Sequence, residues 1–175
     1  MSFVTLYHGT TIPNLKYIKA NSRSHTQNIP VAYFSCDRVY ALICCRTPEE
    51  NFVTAGIRED GKLHYFERFP DQLRKMYGNK SGYLYSVNAS DSLLNTNGHT
   101  YESKQDVAVD GVEYIPDVYA QIIDEENAGN LIVHRYNEID PAEQKAMANH
   151  IRNSMQDEPI MEPFYRKYFG LLWDP

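Results

Sequence analysis

The chain has 175 residues, a length that fits one domain able to bury its own hydrophobic core. It carries 17 basic and 23 acidic side chains, and the net charge of −6 argues against a general surface for nucleic acids or anionic membranes. Residues 1–80 nevertheless hold 11 basic against 7 acidic side chains, so this half of the chain could bind a small anionic ligand.

Three cysteines, Cys36, Cys44 and Cys45, form an odd set without a C-x-x-C pair. A disulfide framework is therefore not expected, and a reducing, cytoplasmic location is the simpler reading. The histidines and cysteines do not fall at structural-zinc spacings, so we expect no metal. The longest apolar run, Val39 to Cys45, is far shorter than the about 20 residues that span a bilayer, and we expect no membrane association.

Strand and helix signals alternate along the first half of the chain. Asp60-Gly61 lies between two β-type runs and predicts a hairpin turn. A Ser or Asp before an apolar helical pattern predicts an N-cap, and here Ser35 or Asp37 can cap the second helix. The expected elements are a strand over 3–8 ended by Gly9, a short helix over 11–18, a strand over 31–34, a helix to about Cys45, and hairpin strands within 52–58 and 62–69.

The second half mixes short strands with helices, which predicts the α+β class. We expect a single domain over residues 1–175, with residues 140–175 as a C-terminal helical extension. Asp140-Pro141 is a typical helix start, and the aromatic tail over 163–173 should dock on the domain. The expected elements are helices over 70–77, 116–126 and 140–154, and strands over 82–87, 100–103, 107–109, 112–115 and 131–136.

Two short motifs carry candidate chemistry. The first is Leu6-Tyr7-His8-Gly9-Thr10, in which a histidine closing a strand is followed by a glycine and a small hydroxyl residue. Glycine allows the backbone to approach a planar amide or a ribose closely. Taken alone, a histidine at a strand end is more often an ordinary surface or core residue.

The second motif is Ala32-Tyr33-Phe34-Ser35, followed by Tyr40-Ala41 on the expected helix. An aromatic strand residue next to a helix with a small residue can form a flat slot for a planar ring. Taken alone, Tyr33 and Phe34 read as ordinary core aromatics.

Together and in this order, the two motifs resemble the ADP-ribosyltransferase superfamily. The resemblance is to the branch of diphtheria toxin and the poly(ADP-ribose) polymerases, which carries a His-Tyr-Glu triad on three strands. Its layout is closer to small bacterial proteins of this fold, and it covers residues 3–45 with a looser link through 82–120. The resemblance implies split, strongly twisted, mainly antiparallel sheets with flanking helices.

The resemblance also implies roles for individual residues, with NAD as substrate. His8 would hydrogen-bond a ribose hydroxyl, the backbone of Gly9 would hold the nicotinamide carboxamide beside Thr10, and Tyr33 would stack on the nicotinamide ring. Tyr40, or Ala41 with one gap, would take the place of a small hydroxyl residue of the family. Neither is a serine, so this chain departs from the family's pattern there.

Three residues compete for the third position of the triad. Matching Tyr101 and Ser103 to the family places Thr100 there, and Glu102 shares its strand face two residues later. Glu113 matches a local Glu-Tyr-Ile run of the polymerases. We prefer Glu102 over Glu113, and a third possibility is that no acid is present. A carboxylate would steady the oxocarbenium character that builds on the ribose during cleavage, whereas Thr100 would give low efficiency or binding without catalysis. The ordinary alternative for both glutamates is a solvated strand face.

The function that the resemblance implies is an NAD-dependent ADP-ribosyltransferase, a glycosyltransferase that transfers single ADP-ribose units. The acceptor stays open between a protein, a nucleic acid, a small molecule and water, in the cytoplasm of the producing or of a target cell. The main alternative is a weak or inactive member of the fold that binds NAD, ADP-ribose or a protein partner. A tRNA 2′-phosphotransferase is a third reading, which the net charge of −6 argues against.

Overall fold

The computed structural model describes residues 4–23, 29–47, 54–88 and 93–157, together with 163, 166 and 167. These residues form an α+β fold of mostly antiparallel strands with four α-helices, as the alternating sequence signals predict. The helices are α1 (Arg38–Ile43), α2 (Gln72–Tyr77), α3 (Val118–Asn127) and α4 (Pro141–Asp157), with a 3-10 turn at Tyr136–Glu138. None of these described helices is long and apolar enough to cross a membrane.

The strands form one large and two small sheets. They are β1 (Thr5–Thr10), β2 (Tyr17–Ile18), β3 (Ser22–Arg23), β4 (Pro30–Ser35), β5 (Ala55–Ile57), β6 (Leu63–Phe66), β7 (Gly82–Asn88), β8 (Leu94–Asn95), β9 (Thr100–Ser103), β10 (Val107–Ala108), β11 (Gly111–Ile115) and β12 (Leu131–His134). The large sheet has the order β11-β7-β1-β4-β9-β8, with β3 paired to β4. The small sheets are β12-β6-β5 and β10-β2.

Two hydrophobic cores lie on opposite faces of the large sheet, because successive strand residues point to alternate faces. Leu6 and Tyr85, on neighbouring strands, belong to the smaller core. Leu84 belongs to the larger core, which also contains the apolar faces of α1, α2 and α3 and the inner face of the β12-β6-β5 sheet. Tyr7 packs against this larger core.

Helix α1 lies closer to β1 than a side chain would allow. Its N-cap is Asp37, as one of the two predicted caps, and the Asp37 carboxylate accepts hydrogen bonds from the backbone N–H groups of Val39 and Tyr40 at 2.8 and 3.0 Å. A Cβ added to Gly9 would stand 1.7 Å from the carbonyl oxygen of Ala41. Glycine at position 9 is therefore what lets the helix rest on the strand.

Two early sequence predictions are wrong. The strand does not end at Gly9 but runs to Thr10, because both residues pair with β7. The predicted helix over 11–18 does not form, since Asn14 adopts a left-handed φ of 59° and the Tyr85 hydroxyl bonds the chain instead. That hydroxyl donates to the carbonyl of Ile12 at 2.9 Å and accepts from the N–H of Leu15 at 3.2 Å.

The predicted hairpin around Asp60-Gly61 is confirmed: β5 and β6 pair antiparallel, and Gly61 has a φ of +75°. A buried carboxylate then joins this sheet to the next helix. Glu67, 4% exposed, accepts from the N–H of Leu73 at 2.9 Å and from the N–H of Tyr136 at 3.0 Å. Two charge-assisted hydrogen bonds compensate for the burial of this side chain.

Most later elements are found, with shifted ends. Helix α2 begins two residues after the predicted start and α3 begins after an Asp117 cap, while β12 ends at His134. The predicted cap of the last helix is confirmed, since Asp140 accepts from the N–H of Ala142 at 2.8 Å. The first strand residues of 52–58 and nearly all of the tail over 163–173 lie outside the described residues.

Replacing Gly9 with alanine should destabilise the fold by about 2 kcal/mol or more, the upper range of overpacking costs. The reason is the contact between the added Cβ and the backbone carbonyl of Ala41, which has no rotamer to change. Urea unfolding followed by circular dichroism measures this change.

Gly56→Ala is the matched control in β5. A Cβ at that position meets no atom within 4 Å, and Gly56 does not have a positive φ. We expect it to leave stability unchanged or to raise it by up to about 1 kcal/mol. Equal stabilities of the Gly9 and Gly56 variants would contradict the packing argument.

Candidate functional site

The two sequence motifs meet through one hydrogen bond. Nδ1 of His8, on β1, lies 2.9 Å from the carbonyl oxygen of Tyr33, on β4. A carbonyl oxygen can only accept, so Nδ1 carries the proton and donates. The Nε2 atom of a neutral His8 then holds a lone pair and can accept a hydrogen bond from a hydroxyl group.

Burial keeps His8 neutral. Desolvation lowers the pKa of His8 below its ordinary value, and the hydrogen bond to Tyr33 opposes this only in part. Its ring also lies 6.1 Å from that of Phe34, measured between centroids. The half-buried imidazole therefore presents an acceptor nitrogen rather than a positive charge at neutral pH.

Strand pairing brings Glu102 next to Tyr33. The two residues are direct partners between β4 and β9, and Thr100 is the partner of Ser35 in the same ladder. Partnered residues of an antiparallel pair have side chains on the same face, with Cβ atoms about 4.5–5.5 Å apart. Tyr33, Glu102 and Thr100 therefore share one face of the sheet.

Glu102 is 5% exposed and lines a cavity of about 250 Å³. Glu102 therefore does not lie on a solvated strand face, which is the ordinary position of a glutamate on a strand. Leu94, Ser103, Lys104 and Gln105 complete the lining, which includes neither His8 nor Tyr33. Lys104 and Gln105 are not among the predicted site residues, and their place two and three residues after Glu102 is the signal that could have found them.

Glu113 lies on the far side of β1 and has a structural partner. It is on β11, separated from β1 by β7, and its side chain is half exposed. Both carboxylate oxygens accept from Arg38, at 3.1 Å from Nε and 2.6 Å from Nη2. A further bond joins Arg38 to Glu125 at 2.9 Å, so this network ties α1 to β11 and α3.

The other predicted NAD-binding residues lie around the close contact between Gly9 and Ala41. Gly9 and Ala41 are buried, and Thr10 is 9% exposed, its hydroxyl accepting from the N–H of Ile12 at 3.2 Å. Tyr40 is half-buried, and desolvation, followed by the neighbouring Cys44, raises its pKa. The structure thus places His8, Gly9, Thr10, Tyr33, Tyr40, Ala41 and Glu102 on three adjacent strands and one helix. The side chains of Tyr33 and Glu102 share one face of the sheet, whereas His8, the strand partner of Tyr85 and the neighbour of Phe34, lies on the face of the smaller core. Glu113 lies two strands away from β1.

Cys45 packs beneath the same contact, as expected of a small core residue. It is 0% exposed, and a Cβ on Gly9 would stand 3.2 Å from its sulfur. Desolvation raises the pKa of its thiol to about 12. A thiol that stays protonated at neutral pH is a poor nucleophile, so Cys45 is a packing residue.

A second cavity, of about 300 Å³, lies along α4 and is lined by none of the predicted site residues. Within the described ranges, no group of three or more histidine, cysteine or acidic side chains is arranged to hold a metal ion. Comparisons with protein-family models, with curated proteins and with solved structures find no match to this chain.

The buried His8 should make the protein less stable in acid. Its pKa is lower in the folded protein than the about 6.5 of an unfolded chain. Below pH 6.5 the unfolded chain binds more protons than the folded protein. The contribution of His8 to the free energy of unfolding is therefore fully present above about pH 6.5 and is lost as the pH falls.

His8→Asn tests this dependence, because its amide nitrogen can still donate to the Tyr33 carbonyl but does not titrate. Urea unfolding from about pH 8 to about pH 5 should give a smaller loss of stability for the variant than for the wild type. Parallel curves would show that His8 is not held neutral by burial.

Proposed function

We propose that this chain is an NAD-dependent ADP-ribosyltransferase, which cleaves the nicotinamide–ribose bond and transfers single ADP-ribose units to an acceptor. The observation that supports it best is the succession of His8, Tyr33 and Glu102 on the neighbouring strands β1, β4 and β9. A hydrogen bond of 2.9 Å joins the first two residues, and a strand-pair register joins the second and third.

His8 acts as an acceptor for a ribose hydroxyl. The Tyr33 carbonyl fixes the proton on Nδ1, so Nε2 remains available to the substrate. Because the pKa of His8 is lowered, the ring stays neutral and Nε2 remains an acceptor at and above neutral pH. Orienting the ribose in this way lowers the entropic cost of reaching the reactive geometry.

Tyr33 offers a half-buried aromatic ring to the nicotinamide. Stacked planar rings gain dispersion and electrostatic energy beyond the area that they bury. The residues proposed to hold NAD, from His8 to Ala41, lie in the more basic half of the chain, which suits the anionic dinucleotide.

Glu102 supplies the negative charge that the reaction needs. The C–N glycosidic bond breaks, and its electron pair leaves with nicotinamide. Positive charge then develops on the ribose, and a carboxylate at hydrogen-bond distance from a neighbouring hydroxyl stabilises it. The acceptor, or water in the hydrolytic version, forms the new bond to the same carbon and gives its proton to solvent.

Gly9 is buried, and its ligand contacts must be made at the seam between β1 and β4, because α1 packs on its other side. The His8 ring also lies on the opposite face of the sheet from Tyr33 and Glu102, so NAD must enter this seam to reach all three residues. The β1–β4 ladder is a single pair, Tyr7 with Ser35, supplemented by the His8–Tyr33 bond. Few hydrogen bonds must therefore change for a ring to enter at this seam, and ligand-binding segments are commonly drawn from such weakly held regions.

The test is the release of nicotinamide from NAD, measured by chromatography. Glu102→Gln, which keeps the side-chain volume but removes the charge, should slow release by about 100-fold or more. His8→Asn and Tyr33→Ala should also abolish most turnover, with thermal melts confirming that each variant is folded.

Glu113→Gln is the matched control for Glu102→Gln. It removes one carboxylate from the Arg38 network and should leave nicotinamide release close to that of the wild type. Equal losses in the two variants would contradict the assignment of Glu102. Stabilisation of the wild type by NAD without any release would favour the alternative of a binding module.

A further inference from the structure

A pair of histidines on the small β12-β6-β5 sheet faces away from the core. His134 on β12 is the partner of Phe66 on β6, and His64 is the partner of Ile132. The alternate residues of these strands, among them Leu63 and Val133, are buried in the larger core. The two histidines therefore share the outer face, although they are 70 residues apart in the chain.

Their ring nitrogens converge. Nδ1 of His64 lies 2.8 Å from Nε2 of His134, with the rings stacked at 19°. Nε2 of His64 lies 3.0 Å from a carboxylate oxygen of Asp60 in the hairpin turn. Because a carboxylate accepts, Nε2 of His64 carries the proton, and its Nδ1 lone pair points at His134.

We propose that His64 and His134 bind one divalent transition-metal ion of the zinc class between these two nitrogens. The pair must share either a proton or a cation at this distance. Without an ion, Nε2 of His134 carries a proton and donates it to Nδ1 of His64. If that proton moves to Nδ1 of His134, the lone pairs of the two facing nitrogens converge on one point. Imidazole nitrogens are common ligands for zinc, nickel and copper.

The surroundings match those of a metal-bound histidine. A ligating imidazole usually donates its second N–H to a carboxylate, which fixes the tautomer and ring orientation, and Asp60 fills this role for His64. His134 is held by Phe66, with ring centroids 4.3 Å apart and planes within 2°. Both ligands are thus oriented before the ion arrives.

Space and charge also decide what the site can hold. Zinc–nitrogen bonds of about 2.0–2.1 Å place two ligands of a tetrahedral site about 3.3 Å apart, so the rings must part by about 0.5 Å. Gly56, the partner of His64 on β5, leaves open space beside it. The guanidinium carbon of Arg58 lies 4.8 Å from the centre of the Phe66 ring, and its positive charge repels a bound cation. The negative charge of Asp60 offsets this repulsion.

The described residues offer no third histidine, cysteine or acidic ligand in a group with these two. Water or an exogenous ligand would complete the coordination, which makes the ion exchangeable. No metal is predicted from the sequence, because the spacing of histidines along the chain does not reveal a pair that forms across two parallel strands. The proposal is independent of the NAD chemistry.

Calorimetric titration of the metal-free full chain with zinc chloride tests the site. The wild type should bind one ion, and His64→Gln or His134→Gln should abolish that binding event. Asp60→Asn keeps both ligands and should weaken binding by about 10–100-fold. His99→Gln and His150→Gln, at exposed positions elsewhere, should match the wild type.

Two results would overturn the proposal. One is the absence of zinc binding by the wild type. The other is zinc binding of wild-type strength in both His64→Gln and His134→Gln, which would place the ion elsewhere. Circular dichroism confirms that each variant is folded, and nicotinamide release is not used as a readout.

Discussion

The contact between Gly9 and the carbonyl of Ala41 determines how the candidate site is built. Any side chain at position 9 would collide with the backbone of α1, since even a Cβ would stand 1.7 Å from that oxygen. With glycine there, the helix lies on β1, and Tyr40 and Ala41 reach the strand that carries His8. Gly82 on β7 likewise allows close packing, since a Cβ at that position would stand 2.8 Å from the Cβ of Cys45.

Three glutamates show how the fold gives one residue type different tasks. Glu67 is buried and bonded to two backbone N–H groups, so it joins β6 to α2 and to the turn after β12. Glu113 is half exposed and paired with Arg38, which holds α1 against β11. Glu102 is buried, is the strand partner of Tyr33 and lines a cavity, so its surroundings differ from those of the two structural glutamates.

Local signals predicted the parts of the fold that local chemistry determines. The Asp37 cap, the Asp60-Gly61 hairpin and the Asp140 cap each depend on a few neighbouring residues, and each is found. The helix over 11–18 was predicted wrongly because Tyr85, about 70 residues later, captures that segment's backbone groups. Tertiary hydrogen bonds of this kind leave no local pattern in the sequence.

The candidate site residues also divide into those that local motifs predict and those that depend on long-range strand pairing. The strand–helix motifs predict His8 and Tyr33 as candidates without the fold, but the choice between Glu102 and Glu113 depends on which strand pairs with β4. That pairing is long-range, and β9 occupies the position. The His64–His134 pair was missed for the same reason, since parallel strands bring together residues that have no fixed spacing.

A crystal structure of the protein with NAD, or with a non-hydrolysable analogue, tests the central claim most directly. We predict that the nicotinamide ring lies on Tyr33 and that ribose hydroxyls lie about 2.6–3.2 Å from Nε2 of His8 and from the Glu102 carboxylate. NAD bound away from the β1–β4 seam, or a ribose that faces Thr100 or Glu113 instead of Glu102, would contradict the account.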